Sequence, residues 1–214
     1  MTHPQAWAWV TLFLLGAYHG INPAMGWLFA VALGLQKKSG RAVWESLAPI
    51  ATGHVAAIAA VILVAVLAGT VVPVRVLRIA VAVILIGFGM YRIVSKSHPR
   101  FGGMQVGFRD LTVWSFLMAC AHGAGLMLLP VLLGMSAVGA GHESHISAFP
   151  SVKMQLVAVA IHTCGYLLLT GTIAWIVFSR LGVSVLRKAW LNLDFVWALA
   201  LIATAGLTLV FSWF

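Results

Sequence analysis

Six long apolar runs restrict the fold of this chain more than any other feature of its sequence. Each run reaches the length of about 20 residues that a helix needs to cross the hydrocarbon core of a bilayer. None alternates apolar and polar residues as a barrel strand does, so we expect helices. Only 8% of the residues are charged, against about 25% in soluble domains. The sequence predicts an all-α, polytopic membrane protein with six transmembrane helices, at approximately 6–35, 43–69, 73–94, 111–138, 152–178 and 189–213.

Basic residues fall in short loops between the apolar runs and predict how the chain is oriented. Ten of them follow the first, third and fifth runs, and three lie on the opposite side. By the positive-inside rule the ten face the cytoplasm, and both termini face out. The N-terminus has no basic region, and the first apolar run is too long for a cleaved signal peptide. We expect a multi-pass protein of the cell inner membrane, with the bilayer and not nucleic acid as its partner.

The two halves of the sequence resemble each other. The segment Phe13–Gly20 aligns with Phe116–Gly123 at an offset of 103, and His54 corresponds to His162 at an offset of 108. A Leu-Arg pair recurs at an offset of 109. Three matches in the same order indicate a duplication with a small insertion. The expected units are a first three-helix repeat at 1–94, a cytoplasmic linker at 95–110 and a second three-helix repeat at 111–214.

Residues that break helices occur at matched positions in the two repeats. Asn22 and Pro23 interrupt the first run just after His19, and a glycine-rich segment follows His122. Proline removes a backbone hydrogen bond and clashes with the preceding helical turn. Because each repeat has three segments, the second must enter the membrane from the opposite side. Inverted repeats with broken helices are typical of secondary transporters, whose sites lie near the bilayer midplane.

Four histidines, His19, His54, His122 and His162, lie deep inside the apolar runs. An ionisable side chain at membrane depth is costly unless it is paired or hydrated. For each histidine alone, the alternative is a polar residue that bonds a neighbouring helix. Four at similar depth in two repeats favour a shared function, since neutral imidazole binds borderline metals and relays protons. We expect a site for nickel, zinc, cobalt or copper.

Softer groups lie near these histidines in the sequence. Met118 precedes His122 by four residues and so shares its helix face. Cys120 and Cys164 each lie two residues from a histidine, which places them on different faces unless the helix is broken. Asn22 and the backbone freed by Pro23 are expected to supply oxygen ligands, whereas the buried methionines Met25 and Met127 fill gaps in the packing. The expected transport path comprises Asn22, Pro23, Met118, Cys120 and Asp194.

Carboxylates are scarce in the apolar runs. Among the four acidic residues only Asp194 lies inside a run, where it either pairs with a nearby basic residue or takes part in proton or cation passage. Hard cations prefer oxygen ligands, so calcium or magnesium transport is disfavoured. In the outer loop, His142, Glu143 and His145 form a candidate capture site for metal. The alternative there is an inert, solvated loop.

The two predicted three-helix repeats carry matching motifs, Tyr18–Pro23 in the first and Ala121–Gly125 in the second. With them the chain resembles the lysine-exporter superfamily in the broad sense, which includes amino-acid exporters, nickel/cobalt exporters and thiol transporters. The resemblance covers most of the chain at the level of topology and implies a transporter. The dense His/Asp signature of the nickel/cobalt exporters is missing from the sequence, and the cysteines lie in the fourth and fifth runs. The thiol-transporter branch would place one cysteine in the first run and one in the fourth, so thiol relay is not expected. The resemblance does not identify the substrate.

The leading hypothesis is a secondary transporter, not an enzyme, that moves a transition-metal cation by alternating access with possible proton coupling. His19 and His122 would be central ligands, and His54 and His162 would complete or gate the site. One alternative is a redox protein whose haem has two histidine ligands from different helices. Another is a transporter of a small organic solute. Direction and oligomeric state stay open, and a homo-oligomer is compatible with the sequence.

Overall fold

A computed structural model describes residues 3–94, 107–139 and 149–181, together with 202, 203, 205 and 206. The regular structure in these residues is helical, and no strand occurs among them, which confirms the all-α prediction. The α-helices are α1 (His3–Ile21), α2 (Trp27–Gln36), α3 (Gly40–Glu45), α4 (Leu47–Gly69), α5 (Val74–Val94), α6 (Phe108–Ala121), α7 (Ala124–Gly139) and α8 (Val152–Ile176). A short 3₁₀ helix (Pro23–Met25) and a π-helical turn (Val177–Leu181) complete the set.

The first apolar run is broken where Asn22 and Pro23 predict it. Helix α1 ends at Ile21, and the Asn22 side chain accepts a hydrogen bond of 3.0 Å from the amide of Ala24. This bond caps the 3₁₀ helix in the usual way for an N-terminal asparagine. Gly26 then adopts φ of 137°, a conformation that residues with a side chain rarely take, and α2 starts at the next residue. The predicted interruption is confirmed.

The fourth apolar run has a second break, between α6 and α7. Helix α6 ends at Ala121, α7 begins at Ala124, and the two helices meet at a bend of 58°. Gly123 has φ of 68°, the left-handed conformation that commonly ends a helix and suits glycine. Each break therefore follows a predicted site histidine within a few residues: His19 before the first and His122 at the second.

Two helical stretches are long and apolar enough to cross a membrane. They cover Gly40–Gly69, in which α4 continues α3, and Val152–Arg180. The bent pair α6 and α7 makes a third if it counts as one span. The shorter apolar helices Ala6–Ile21 and Trp27–Gln36 flank the first break. Apart from four residues, the sixth predicted run, 189–213, lies outside the described part of the chain.

The closest helix pairs join the two predicted repeats. In the described residues the most extensive interfaces are those of α1 with α8 and of α4 with α6. Glycines bring the backbones together: a Cβ at Gly165 would lie 2.3 Å from the Phe13 carbonyl oxygen, and one at Gly53 would lie 2.2 Å from that of Thr112. Small residues commonly allow such approach between apolar helices. This close packing positions the histidine-bearing faces of α1, α4 and α8.

Candidate functional site

Three of the four predicted histidines meet in the interior of the protein. His19 on α1, His54 on α4 and His162 on α8 are each 0% exposed. The ring centres are 5.1 Å apart for His19 and His162, 5.5 Å for His54 and His162, and 5.8 Å for His19 and His54. We call these three side chains the histidine cluster. It lies where the helices of the two predicted repeats are packed together.

His122 is also 0% exposed and lies in the α6–α7 break. Its Nδ1 lies 2.8 Å from the carbonyl oxygen of Met118, four residues earlier. His19 makes the same contact, at 2.8 Å, with the carbonyl of Leu15. The two residues that the sequence aligns between the repeats are therefore held in the same way by their own helices.

Backbone carbonyls define which ring nitrogen carries the proton in three of the histidines. A carbonyl oxygen only accepts hydrogen bonds, so Nδ1 donates in His19, His122 and His162, the last to the Leu12 carbonyl at 3.2 Å. In the neutral ring the lone pair is then on Nε2. Histidines that bind metals commonly have this arrangement, with the second nitrogen held by a carbonyl or carboxylate.

His54 is held differently, by an aromatic ring. The ring of Tyr166 stacks on it with centres 4.0 Å apart and planes 17° apart. Neither ring nitrogen of His54 has a hydrogen-bond partner among the described residues. The His54 ring is also nearly parallel to that of His162, at 3°. His54 is therefore the member of the cluster whose two nitrogens are both uncommitted to the surrounding backbone.

Three other buried polar atoms, one at the first helix break and two on α8, share this property. The Nδ2 of Asn22 and the hydroxyls of Thr163 and Thr170 have no hydrogen-bond partner in the described part of the chain. The exposed Thr52 and Thr172 instead donate to carbonyls of their own helices. Leaving a polar group buried and unpaired is costly, and such groups commonly bind water or a ligand. Two of these atoms belong to α8, the helix that also carries His162.

Aromatic side chains occupy the carbonyls that the first helix break frees. Trp27 donates from its indole nitrogen to the Ile21 carbonyl at 2.9 Å. The indole nitrogen of Trp114 on α6 donates to Ala24 at 3.3 Å, and the hydroxyl of Tyr166 donates to Met25. The oxygens of Asn22 and Pro23 themselves accept from backbone amides: the Asn22 side chain from Ala24, the Asn22 carbonyl from Met25 and the Pro23 carbonyl from Gly26.

The structure does not bring the two thiols to the cluster. Cys120 and Cys164 are exposed on the surfaces of α6 and α8, whereas Met118 is buried at 1% exposure. Helix α6 is intact as far as Ala121, so residues two positions apart lie on different faces. Cys120 therefore lies on a different face of α6 from Met118, and its place in the transport path stays a prediction. Met25 and Met127 are both 1% exposed, as expected of residues that fill the core.

Four predicted site residues, Asp194, His142, Glu143 and His145, lie outside the described residues. Within the described ranges, no three side chains among histidine, cysteine, aspartate and glutamate are arranged so that they hold a metal ion as they stand. The near-parallel orientation of the His54 and His162 rings is one reason why these side chains do not hold an ion as they stand.

Tyr166 is the functional candidate that the sequence analysis missed. It is 0% exposed and follows His162 by four residues on α8. That spacing places the two side chains on one helix face and was a usable signal. The contact of its hydroxyl with Met25, 141 residues away along the chain, had no such signal.

Comparison of the chain with protein-family models, with curated proteins and with solved structures finds no match. The candidate function therefore rests on the geometry of the cluster and of the helix breaks beside it.

Proposed function

We propose that this protein is an inner-membrane transporter of a transition-metal cation, bound in transit by the histidine cluster. In this proposal six transmembrane helices form two inverted repeats, and both termini face out. The single observation that carries the proposal is the meeting of three buried histidines from three helices. Nickel, zinc, cobalt and copper are the cations that imidazole nitrogen suits best.

The spacing of the rings supports a single ion as the guest. Three imidazoles that bind one tetrahedral ion at about 2 Å hold their ring centres about 5 Å apart. The observed separations of 5.1–5.8 Å are close to this value. Because Nδ1 donates to a backbone carbonyl in His19 and His162, Nε2 is the atom through which each ring would bind the ion. His54 completes the set once its ring turns away from its position parallel to His162.

The helix breaks support transport over static storage. Discontinuous helices beside a buried site are the usual construction of alternating-access carriers. Here one break follows His19, and the other contains His122. The matched Nδ1 contacts of these two residues, and the packing of α1 on α8 and α4 on α6, are the relations that an inverted repeat would produce. An imidazole nitrogen binds either a proton or a metal ion, so a proton taken up when the ion leaves and released when the next ion binds offers a route to proton coupling.

The haem alternative has less support from the same distances. Two axial histidines lie on opposite sides of the iron in a straight line, so their ring centres are on the order of 6.4 Å apart for bonds of about 2 Å. The largest separation in the cluster is 5.8 Å. A macrocycle would also have to lie between rings that the core encloses completely. The cluster therefore favours one small ion.

A titration with Co²⁺ tests the proposal, because its visible spectrum reports the ligands directly. The purified full-length protein in nanodiscs should develop the absorption of a tetrahedral nitrogen site as Co²⁺ is added. We expect His19→Ala, His54→Ala and His162→Ala each to weaken Co²⁺ binding at least tenfold. Thr172→Ala, which removes an exposed hydroxyl from α8, is the control and should bind as the unaltered protein does.

Flux completes the test. Proteoliposomes that contain an ion-sensitive dye should take up Co²⁺, Zn²⁺ or Ni²⁺ with the unaltered protein and not with the histidine variants. A purified protein that neither binds nor moves any of these ions would overturn the proposal. A Soret band in the protein as isolated would instead support the haem alternative, and flux of an uncharged organic solute would support the solute alternative.

A further inference from the structure

Tyr166 contacts both the histidine cluster and the first helix break. Its ring stacks on His54 at 4.0 Å, and its hydroxyl donates to the carbonyl of Met25 in the 3₁₀ helix. The side chain is 0% exposed, so both contacts lie in the interior of the protein. One rigid ring thus connects the site where a ligand would bind to the segment whose backbone is irregular.

The contact with Met25 holds the break in its present form. Carbonyls at a helix interruption lack partners from their own helix and must find them elsewhere. Here Tyr166, Trp114 and Trp27 each supply one donor to the break. Loss of one such bond would leave a buried carbonyl unpaired and make opening of the break easier.

Other hydrogen-bond partners are near the Tyr166 hydroxyl. The hydroxyls of Ser115 and Thr170 lie beside it and can interact with it. Ser115 itself donates to the Ile50 carbonyl at 2.6 Å, which leaves its oxygen able to accept. The Tyr166 hydroxyl can therefore leave Met25 and still be hydrogen-bonded. A side chain with two sets of partners can take part in a conformational switch.

We propose that Tyr166 couples occupancy of the histidine cluster to the opening of the first helix break. The inference rests on the proposed metal transport. A metal ion lies in the plane of each imidazole that binds it, and the stacked rings of His54 and His162 are nearly parallel. The Leu12 carbonyl holds His162, so in this inference the His54 ring is the one that turns. Tyr166 lies flat against that ring and has to move with it. Its hydroxyl then leaves the Met25 carbonyl, and the segment between α1 and α2 is released. Tyr166 acts here as a positioning residue.

The variant Tyr166→Phe separates the two contacts. It keeps the ring against His54 and the volume of the core, and it removes only the donor to Met25. The matched control is Trp27→Phe, which also keeps an aromatic ring and removes a donor to the same break, at Ile21. Hydrogen exchange of the peptide that spans residues 20–30, measured with and without Co²⁺ in the full-length protein, reports the opening of the break.

We expect Co²⁺ to speed exchange of this peptide in the unaltered protein about fivefold, the change that loss of one ordinary hydrogen bond produces. In Tyr166→Phe the peptide should exchange fast without Co²⁺, and Co²⁺ should add no further change. In Trp27→Phe exchange should also start faster, but the Co²⁺-dependent increase should be retained. A purely structural role for Tyr166 would alter the starting rate and leave that increase intact.

The outcomes distinguish this inference from the proposed function. If Co²⁺ binds but Tyr166→Phe retains the full Co²⁺-dependent increase, the coupling is overturned and metal binding stands. If Co²⁺ binds the unaltered protein and exchange of the break does not change, the coupling is likewise overturned. If Co²⁺ does not bind at all, both proposals fall together. The visible spectrum of Tyr166→Phe, which should match that of the unaltered protein, checks that the site itself is preserved.

Discussion

Gly16 faces the backbone of His162 so closely that a Cβ at Gly16 would lie 1.9 Å from the His162 carbonyl oxygen. No side chain can be accommodated at that distance without moving one helix. The contact fixes the separation of α1 and α8 next to the histidine cluster, because His19 and His162 are carried by these same two helices. The geometry of the candidate site is therefore set partly by an absent side chain.

The first prediction concerns this contact. Gly16→Ala should destabilise the protein by about 3 kcal/mol, the upper part of the range for overpacked cores. It should also weaken Co²⁺ binding, since α1 is displaced from α8. The melting temperature in detergent, followed by tryptophan fluorescence, measures the first effect. Gly134→Ala is the control, because a Cβ there meets nothing within 4 Å in the described structure, and it should be neutral or slightly stabilising.

The second prediction concerns the cap of the 3₁₀ helix. Asn22→Ala removes the acceptor for the Ala24 amide and should cost about 1 kcal/mol. Hydrogen exchange of residues 20–30 should become faster even without metal. Thr52→Ala, which removes a hydroxyl that donates to its own helix on an exposed surface, should change stability by less than about 0.5 kcal/mol. Equal effects of the two substitutions would contradict a capping role for Asn22.

The third prediction concerns the bend between α6 and α7. Gly123 has φ of 68°, so Gly123→Ala should cost about 1–2 kcal/mol through backbone strain. Gly123→Asn should cost less, because asparagine adopts the left-handed conformation more readily than alanine does. Thermal melting of the two variants side by side gives the comparison. An alanine variant as stable as the asparagine variant would argue against a left-handed residue at this bend.

The fourth prediction concerns the thiols. Both cysteines are exposed on helix surfaces away from the cluster, so the double variant Cys120→Ser, Cys164→Ser should bind Co²⁺ within about twofold of the unaltered protein. Sulfur ligands give cobalt an intense charge-transfer absorption, and this absorption should be missing from both proteins. Tenfold weaker Co²⁺ binding by the double variant would indicate that the thiols contribute to the site.

The fifth prediction concerns the link between α4 and α6. Ser115 is 1% exposed and donates to the Ile50 carbonyl. Ser115→Ala should cost about 1 kcal/mol, as loss of a buried hydrogen bond does. Thr112→Ser is a suitable control on the same helix, because it keeps the hydroxyl that donates to Phe108. The two melting temperatures measured under the same conditions decide whether the buried contact matters.

Features that depend on neighbouring residues in the chain could be predicted from the sequence. The break at Pro23 is predicted from the pair Asn22-Pro23, although Pro130 lies inside the unbroken helix α7 and shows that a proline alone does not require a break. The placement of Cys120 and Met118 on different faces of an intact helix follows from their two-residue spacing. Deep burial of the four histidines followed from the apolar runs around them.

Features that depend on distant residues could not be predicted in this way. The Trp114 indole donates to a carbonyl 90 residues away, and the Tyr166 hydroxyl donates to one 141 residues away. These two bonds determine whether the carbonyl oxygens near Pro23 are free to bind an ion. The sequence around Pro23 does not indicate which distant side chains will donate to it. The stacking of Tyr166 on His54 likewise depends on how α8 lies against α4.

The packing of helices from the first half of the chain against helices from the second half has a consequence for how the protein is synthesised. In the described structure α1 has its most extensive interface with α8, and α6 has its most extensive interface with α4. The glycine surface of α1 therefore leaves the ribosome long before the helix that covers it has been synthesised. The two halves of the chain cannot mature one after the other, and the candidate site comes into existence only when the last of its three helices arrives.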